Sequence, residues 1–125
     1  MRLCSLSVFL SSFVLATALL LAQTVMAIEP GPITPKEAKV LIQQKGDLVI
    51  LDVRTPSEYV AVHYPNALNI PINELETRIS EVPTGKPVLM HCAIGKRAEY
   101  GYGIMKAKRP DIKKLYYIRG EPIFN

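Results

Sequence analysis

Two short apolar runs, residues 48–53 and residues 87–91, constrain the fold of this chain most strongly. A single charged residue interrupts the first run, and turn residues precede the second. A strand that is apolar on both faces has to be covered on both faces, and such strands are typical of parallel sheets. Residues 67–71 and 115–118 predict two further strands, with helical stretches between them. This alternation predicts an α/β fold in which helices flank a parallel sheet on both faces.

Capping residues mark the beginnings of two predicted helices. Thr34 followed by Pro35 is a favourable start for a helix that Gly46 would end. The proline-rich residues 28–34 that precede this helix predict an irregular lead-in. Residues 55–58, with the sequence Thr-Pro-Ser-Glu, predict a second, short capped helix.

Two later stretches also have helical character. In the first, apolar side chains recur every three or four residues at Ile72, Leu75, Ile79 and Val82. In the second, a helix is predicted from Ala98 to about Ala107, although Gly101 and Gly103 each cost about 1 kcal/mol relative to alanine. Glycines in this helix predict close packing on the sheet.

The beginning of the chain predicts an export signal. After Arg2, residues 3–28 carry no charge and are rich in Leu, Val, Ala and Phe. The sequence Val-Met-Ala at residues 25–27 suits signal peptidase, so residues 1–27 are predicted to be a signal peptide and residues 28–125 one periplasmic or secreted domain. The alternative is an uncleaved membrane anchor, since the uncharged stretch is long enough to span a bilayer. If the signal is cleaved, no stable membrane association is expected.

Cys92 directly follows the second apolar run and precedes a predicted helix. The N–H groups at a helix N-terminus favour an anion, and Lys96 and Arg97 add positive charge nearby, so a reactive thiolate is expected at Cys92. Cys4 would leave with the signal peptide, so the exported domain would contain no internal disulfide. Cys92 is therefore a candidate nucleophile, and the alternative is a buried small apolar residue.

Three other polar residues near the strand ends favour structural roles. Asp52 and Arg54 suit a buried ion pair that fixes the strand end to the loop better than they suit catalysis. His91 precedes Cys92 on a strand, where adjacent side chains point to opposite faces, so a packing role is favoured over a catalytic pair with the cysteine. One cysteine with the distant His63 and His91 falls short of a metal site.

The chain carries a net charge of +4, and its basic residues are concentrated late. Such a field would concentrate small anions near the cysteine loop. A solvated basic face is favoured over a nucleic-acid site, because no binding motif accompanies the charge, and no nucleic-acid partner is expected. The basic residues concerned are Lys96, Arg97, Lys106, Lys108, Arg109, Lys113, Lys114 and Arg119.

Several ordered motifs together resemble the single-domain rhodanese family. They are the sequence Asp-Val-Arg-Thr-Pro-Ser-Glu-Tyr at residues 52–59, then His63, then residues 67–71, then Cys-x-x-Gly-x-Arg at residues 92–97. With its export signal, the chain is similar to small periplasmic thiosulfate sulfurtransferases of the phage-shock type. The resemblance implies a sheet of about five parallel strands and a chemistry without a cofactor. Sulfane sulfur would pass from a small anionic donor such as thiosulfate to the cysteine as a persulfide, and then to cyanide or a thiol, a protein thiol included.

The resemblance also implies a role for each residue of the loop. Cys92 would be the nucleophile and sulfur carrier, and backbone N–H groups from the substrate-binding residues would face the persulfide. Lys96 and Arg97 would orient the sulfonate end of thiosulfate, although a structural bond from Arg97 to a loop carbonyl or to Asp52 is the alternative. The substrate-binding residues implied are Ala93, Ile94, Gly95, Lys96, Arg97 and Ala98, supported by Asp52 and Arg54.

The chain departs from the family pattern in three places. Val62 and Asn66 stand where the family usually has glycine, and Ala98 replaces a frequent serine. The usual Gly-Gly and the following aromatic helix are reduced to residues 119–125, so an incomplete pocket wall is expected at this end.

Two other functions compete with sulfur transfer. A related loop serves phosphatases and arsenate reductases, but it encloses five residues, whereas Cys92 and Arg97 enclose four. The shorter loop favours sulfur transfer, because tetrahedral phosphate requires a larger cradle. The second alternative is a binding module that carries a persulfide to a partner without turning over free thiosulfate.

Overall fold

The computed structural model describes residues 27–125. Apart from Ala27, the predicted signal peptide lies outside the described residues and stays a prediction.

The described residues form a five-stranded, fully parallel sheet with the strand order β1-β5-β4-β2-β3. This confirms the predicted α/β fold and its five-stranded parallel sheet. The central position of β4 places residue 92, which follows it, in the middle of the carboxyl edge of the sheet. The strands are β1 (Gly31–Ile33), β2 (Val49–Asp52), β3 (Leu68–Asn69), β4 (Val88–His91) and β5 (Leu115–Ile118).

Four α-helices connect these strands within the described residues, together with two 3₁₀ turns at Ile72–Glu74 and Ile79–Glu81. None of these helices is both long and apolar enough to cross a membrane. The helices are α1 (Pro35–Gln44), α2 (Pro56–Ala61), α3 (Leu75–Arg78) and α4 (Lys96–Lys108).

Both predicted helix caps are confirmed. The Thr34 hydroxyl accepts a hydrogen bond from the Glu37 backbone, and the Glu37 carboxylate accepts one from the Thr34 N–H, which completes a capping box. Thr55 and Glu58 repeat this arrangement at the start of α2. The two helices therefore begin where the sequence predicts, with a proline in the first turn of each.

Three local predictions were wrong in detail. The lead-in that was expected to be irregular contains β1, which is an edge strand of the sheet. An edge strand tolerates proline because it forms backbone hydrogen bonds to a neighbouring strand on one side only. Residues 72–82 do not form one helix but two 3₁₀ turns flanking the single turn of α3. Their apolar spacing of three and four residues suits either helix type. Helix α4 begins at Lys96, two residues before the expected start.

The core has two apolar layers, one on each face of the sheet. One layer contains Leu51, Met90 and Cys92 with residues from α4, and the other contains Leu89 and Tyr116 with residues from α1. Helix α4 lies close to the sheet at Gly101, where an added Cβ would come within 2.8 Å of the Met90 side chain. The predicted close packing is confirmed at Gly101, but a Cβ on Gly103 would meet nothing within 4 Å.

Candidate functional site

The candidate site is the loop between β4 and α4, which begins at Cys92. Strand β2 ends beside it, because Asp52 pairs in register with His91. Ligands of open parallel sheets bind at the carboxyl ends of strands, and this loop lies at that edge.

The sulfur of Cys92 accepts hydrogen bonds from the loop backbone. The Gly95 N–H donates to Sγ at 3.0 Å and the Ala98 N–H donates at 3.3 Å. The residue is fully buried and belongs to the apolar layer beneath α4. Although its neighbours include apolar side chains, the amides face the sulfur, and this arrangement stabilises a negatively charged sulfur at the helix start.

The turn that aims these amides depends on Gly95. Its φ of 103° lies in the left-handed region that side chains disfavour. A Cβ on Gly95 would also lie 2.9 Å from the backbone nitrogen of Gly120 and 3.3 Å from the carbonyl oxygen of Ile118. The chain that leaves β5 therefore packs directly against the loop.

Arg97 binds a partner that the sequence analysis did not predict. Its guanidinium donates two hydrogen bonds to the carboxylate of Glu58 on α2, at 2.8 and 3.1 Å. These hydrogen bonds lower the pKa of Glu58 to about 2 and raise the pKa of Arg97. Arg97 therefore binds neither a loop carbonyl nor Asp52, and its two-pronged contact is already occupied by a carboxylate.

The outer side of the loop is open to solvent. Ile94 is 61% exposed and Tyr100 is 65% exposed. Lys96 is exposed and has no ion-pair partner among the described residues. A cavity of about 310 Å³ lies beside the loop, lined by Ile72, Asn73, Lys96, Arg97 and Tyr100.

Asp52 and Arg54 form a buried ion pair behind the loop. The Asp52 carboxylate accepts three hydrogen bonds from the Arg54 guanidinium, at 2.7–3.1 Å, and one from the Arg54 backbone N–H. Arg54 also donates to the carbonyl oxygen of Val62, and the ring of Phe124 lies 5.0 Å from its guanidinium carbon. The pair therefore links the end of β2 to the segment that follows α2 and to the C-terminal segment.

His91 lies on the opposite face of the sheet from Cys92. Its fully buried ring packs edge-on against Tyr64 and Phe124, and neither ring nitrogen has a hydrogen-bond partner among the described residues. Burial lowers the pKa of His91, while the negative charge of Asp52, with Oδ2 3.6 Å from Nε2, opposes that effect. This position favours the packing role over a catalytic pair.

The C-terminal segment has a different form from the aromatic helix usual in the family. Residues 121–125 contain no helix, and Phe124 packs over the rings of Tyr64 and His91. Phe124 thus belongs to the apolar layer on the face opposite Cys92, and the expected incomplete pocket wall stays a prediction. Asn66 adopts a φ of 62°, which explains why the family usually has glycine there and why asparagine, which tolerates this conformation, replaces it.

Ion pairs reduce the basic field predicted for the last third of the chain. Arg97, Lys108 and Arg109 bind Glu58, Glu76 and Asp111, respectively.

Within residues 27–125 there is no group of three or more acidic, histidine or cysteine residues placed to hold a metal ion.

The fold and the loop define the class of protein to which this chain belongs. The chain is a member of the rhodanese-like domain family, which matches residues 34–120. It is similar to a sulfurtransferase of Allochromatium vinosum, with 32% identity over 65 residues that cover 46% of this chain and 61% of the relative. It is also similar to an adenylyltransferase and sulfurtransferase of Arabidopsis thaliana, with 46% identity over 50 residues that cover 40% of this chain and 11% of the relative. The chain thus spans less than two thirds of the length of either relative.

Solved structures support the same fold. A rhodanese-like domain protein from Staphylococcus aureus superposes with a TM-score of 0.64 at 24% identity, and the match covers 73% of this chain and 86% of that one. The sequence predicts the loop, but it does not predict Glu58 as part of the site. Glu58 lies within the motif of residues 52–59. Its contact with Arg97, 39 positions away in the chain, leaves no periodic or local signal in the sequence.

Proposed function

We propose that this domain is a thiosulfate sulfurtransferase that carries sulfane sulfur on Cys92. The Cys92 thiolate attacks the outer sulfur of thiosulfate, a new S–S bond forms, and sulfite leaves with the electron pair of the broken S–S bond. Cyanide or a thiolate then attacks the terminal sulfur of the persulfide, which releases thiocyanate or a new persulfide and restores the thiolate. No metal or organic cofactor enters either step.

The observation that carries this proposal is the pair of backbone N–H groups that point at Cys92 Sγ. These N–H groups belong to Gly95 and Ala98, and they donate hydrogen bonds to the sulfur at 3.0 and 3.3 Å, respectively. In both steps the cysteine sulfur is an anion, first as the attacking thiolate and later as the leaving group. Fixed amide donors stabilise the sulfur in both roles without reorganisation.

The surroundings of the loop support an anionic donor. Lys96 is exposed and carries a positive charge that no described acidic residue neutralises. It lines the cavity beside the loop, where it could meet the sulfonate end of thiosulfate. The four residues between Cys92 and Arg97 support sulfur transfer over phosphate-ester hydrolysis, as the sequence analysis argued.

The finer assignment follows the resemblance and the start of the chain. We place the protein in the periplasmic phage-shock type, exported by the predicted signal peptide over residues 1–27 and working on a small anionic donor. Its acceptor is cyanide in the assay and a thiol, which can be a protein thiol, in the cell.

A second function is favoured by one observation, the engagement of Arg97 by Glu58. A guanidinium already paired with a carboxylate is less able to bind free thiosulfate. A carrier that receives its sulfur from a protein persulfide and passes it to a specific partner would need less attraction for small anions.

The assay for thiocyanate formation from thiosulfate and cyanide tests the proposal. The wild-type protein is expected to turn over and the Cys92→Ser variant to be inactive. Phosphate-ester hydrolysis without thiocyanate formation would overturn the proposal. Negligible thiocyanate formation together with a stable persulfide on Cys92 would replace it with the carrier function.

A further inference from the structure

We infer that Glu58 sets the donor selectivity of the Cys92 site by neutralising Arg97, so that the site discriminates against donors of high negative charge. The inference rests on the proposed function, and it assigns to α2 a specificity-determining residue for the loop. Glu58 does not touch the reacting sulfur and acts through Arg97, so it is a positioning residue.

The geometry of the pair fixes Arg97 in one orientation. Both terminal nitrogens of the guanidinium donate to Glu58, one to each carboxylate oxygen, at 2.8 and 3.1 Å. Such a fork-to-fork contact uses the face of arginine that would otherwise bind a sulfonate. A donor that binds Arg97 in this way has to displace Glu58 first.

Glu58 is itself held in place by the start of α2. Its carboxylate accepts hydrogen bonds from the Thr55 backbone N–H and the Thr55 hydroxyl, so it serves the capping box and the arginine together. With a pKa of about 2, it is fully charged at every pH at which the protein would work. The neutralisation of Arg97 is therefore a permanent feature of the site.

The Arg97–Glu58 pair lies close enough to the Cys92 loop to affect the electrostatic potential there. Arg97 directly precedes Ala98, whose N–H donates to the Cys92 sulfur at 3.3 Å, so the pair adjoins the sulfur site. Arg97 and Glu58 are each about one third exposed, with side-chain exposures of 34% and 32%. An approaching anion therefore meets both charges of the pair at the rim, beside Lys96, which has no acidic partner among the described residues.

Alkylation of Cys92 in the full chain measures this selectivity without requiring sulfur transfer. Iodoacetate carries one negative charge and iodoacetamide none, and both react with the same thiolate, so the ratio of their rates cancels any change in the thiolate fraction. The rates are read by mass on the peptide that contains Cys92. We expect Glu58→Gln to raise the ratio of the iodoacetate rate to the iodoacetamide rate roughly threefold. This is the effect of removing one unit charge about 10 Å away in a hydrated rim. Arg97→Gln should lower it by a similar factor.

Thiosulfate tests the same inference at a higher charge. Because thiosulfate is a dianion, its kcat/KM should rise roughly tenfold in Glu58→Gln, about the square of the monoanion effect. A monoanionic alkanethiosulfonate, which also gives up its outer sulfur to the thiolate and releases sulfinate, should gain less. For thiosulfate, the gain should come mainly from a lower KM.

Two other glutamates provide matched controls. Glu37 occupies the equivalent capping-box position at α1 and has no arginine partner among the described residues, so Glu37→Gln removes a capping-box charge alone. Glu81 forms a two-bond contact with Arg78, so Glu81→Gln removes an ion pair on another part of the surface. Neither variant should change the alkylation ratio. Arg97→Gln supplies the test if Glu58→Gln fails to fold.

The outcomes separate this inference from the proposed function. An unchanged or lower alkylation ratio in Glu58→Gln, or an unchanged or higher one in Arg97→Gln, overturns the inference even if wild-type thiosulfate turnover is normal. Absence of turnover in the wild-type protein, together with the expected change in ratio, supports charge selection by Glu58 and overturns the thiosulfate proposal alone.

Discussion

Gly95 packs against the backbone of Gly120 so closely that no side chain fits between them. A Cβ on Gly95 would lie 2.9 Å from the Gly120 nitrogen, and Gly95 holds a φ of 103°. The loop that carries Cys92 is therefore shaped from behind by the segment that leaves β5. The 3.0 Å bond from the Gly95 N–H to the sulfur depends on this contact.

Substitution Gly95→Ala should damage both stability and the sulfur site. We expect a loss of about 1–3 kcal/mol in the free energy of unfolding, from backbone strain and the contact with Gly120. Denaturant unfolding measures the loss, and the rate of Cys92 alkylation by iodoacetamide should change with it, because a donor to the thiolate moves. Gly85→Ala is the control, since Gly85 has a φ of 73° but nothing within 4 Å of a Cβ. Equal stability and alkylation rates in the wild type and Gly95→Ala would contradict this account of the loop.

The two glycines of α4 should respond differently to alanine. Gly103 is exposed inside the helix with open space at its Cβ position, so Gly103→Ala should stabilise the protein by about 0.5–1 kcal/mol. At Gly101 an added Cβ would meet Met90 at 2.8 Å and Ile72 at 3.1 Å, so repacking should cancel or reverse the gain. Thermal unfolding of the two variants checks the difference. A larger gain at Gly101 than at Gly103 would show that the helix does not lie as close to β4 as described.

Removing one partner of the buried ion pair should destabilise the fold strongly. Asp52 is fully buried and the Arg54 side chain is 6% exposed, so Asp52→Asn would leave a guanidinium without its counter-charge. We expect a cost of about 3–5 kcal/mol in denaturant unfolding. Adding Arg54→Met to the same protein should recover much of the loss. A cost near zero for Asp52→Asn alone would mean that the pair does not hold the end of β2.

His91 should make stability depend on pH. Because burial lowers its folded-state pKa below the ordinary value of 6.5, the unfolded chain binds the proton more readily. The stability contributed by neutral His91 is present above pH 6.5 and is lost as the pH falls through the unfolded value toward the folded one. Asp52, Arg54 and Tyr64 surround the ring, and the charge of Asp52 favours its protonation while that of Arg54 opposes it.

His91→Leu should flatten this dependence. Unfolding free energies measured between about pH 8 and pH 5 should fall less steeply in the variant than in the wild type. His63→Gln, at the exposed histidine, is the matched control. The assignment to His91 fails if the slope survives in His91→Leu and disappears in His63→Gln.

The parts of the fold that the sequence predicts are those fixed by local chemistry. Thr34 and Thr55 mark helix starts through contacts three residues away, and the strand of residues 87–91 is visible as an apolar run. Strand β1 was missed because its three residues include a proline and gain strand geometry only by pairing with β5. Local propensity carries no information about that partner.

The candidate site also has one part that the sequence predicts and another that it does not. The position of Cys92 between a strand and a helix is local, so its environment could be predicted. The pairing of Arg97 with Glu58 and the packing of Gly95 on Gly120 join residues far apart in the chain. Only the assembled sheet brings these residues together, which is why the sequence suggested a free anion-binding arginine and the structure shows a paired one.

The central claim is that Cys92 accepts and holds sulfane sulfur within the loop. Its most direct test is the mass of the peptide that contains Cys92 after the full chain is incubated with thiosulfate and before any acceptor is added. The account predicts a gain of one sulfur atom on Cys92, which cyanide removes as thiocyanate. An unchanged mass at Cys92 under conditions in which iodoacetamide alkylates the same thiol would contradict it.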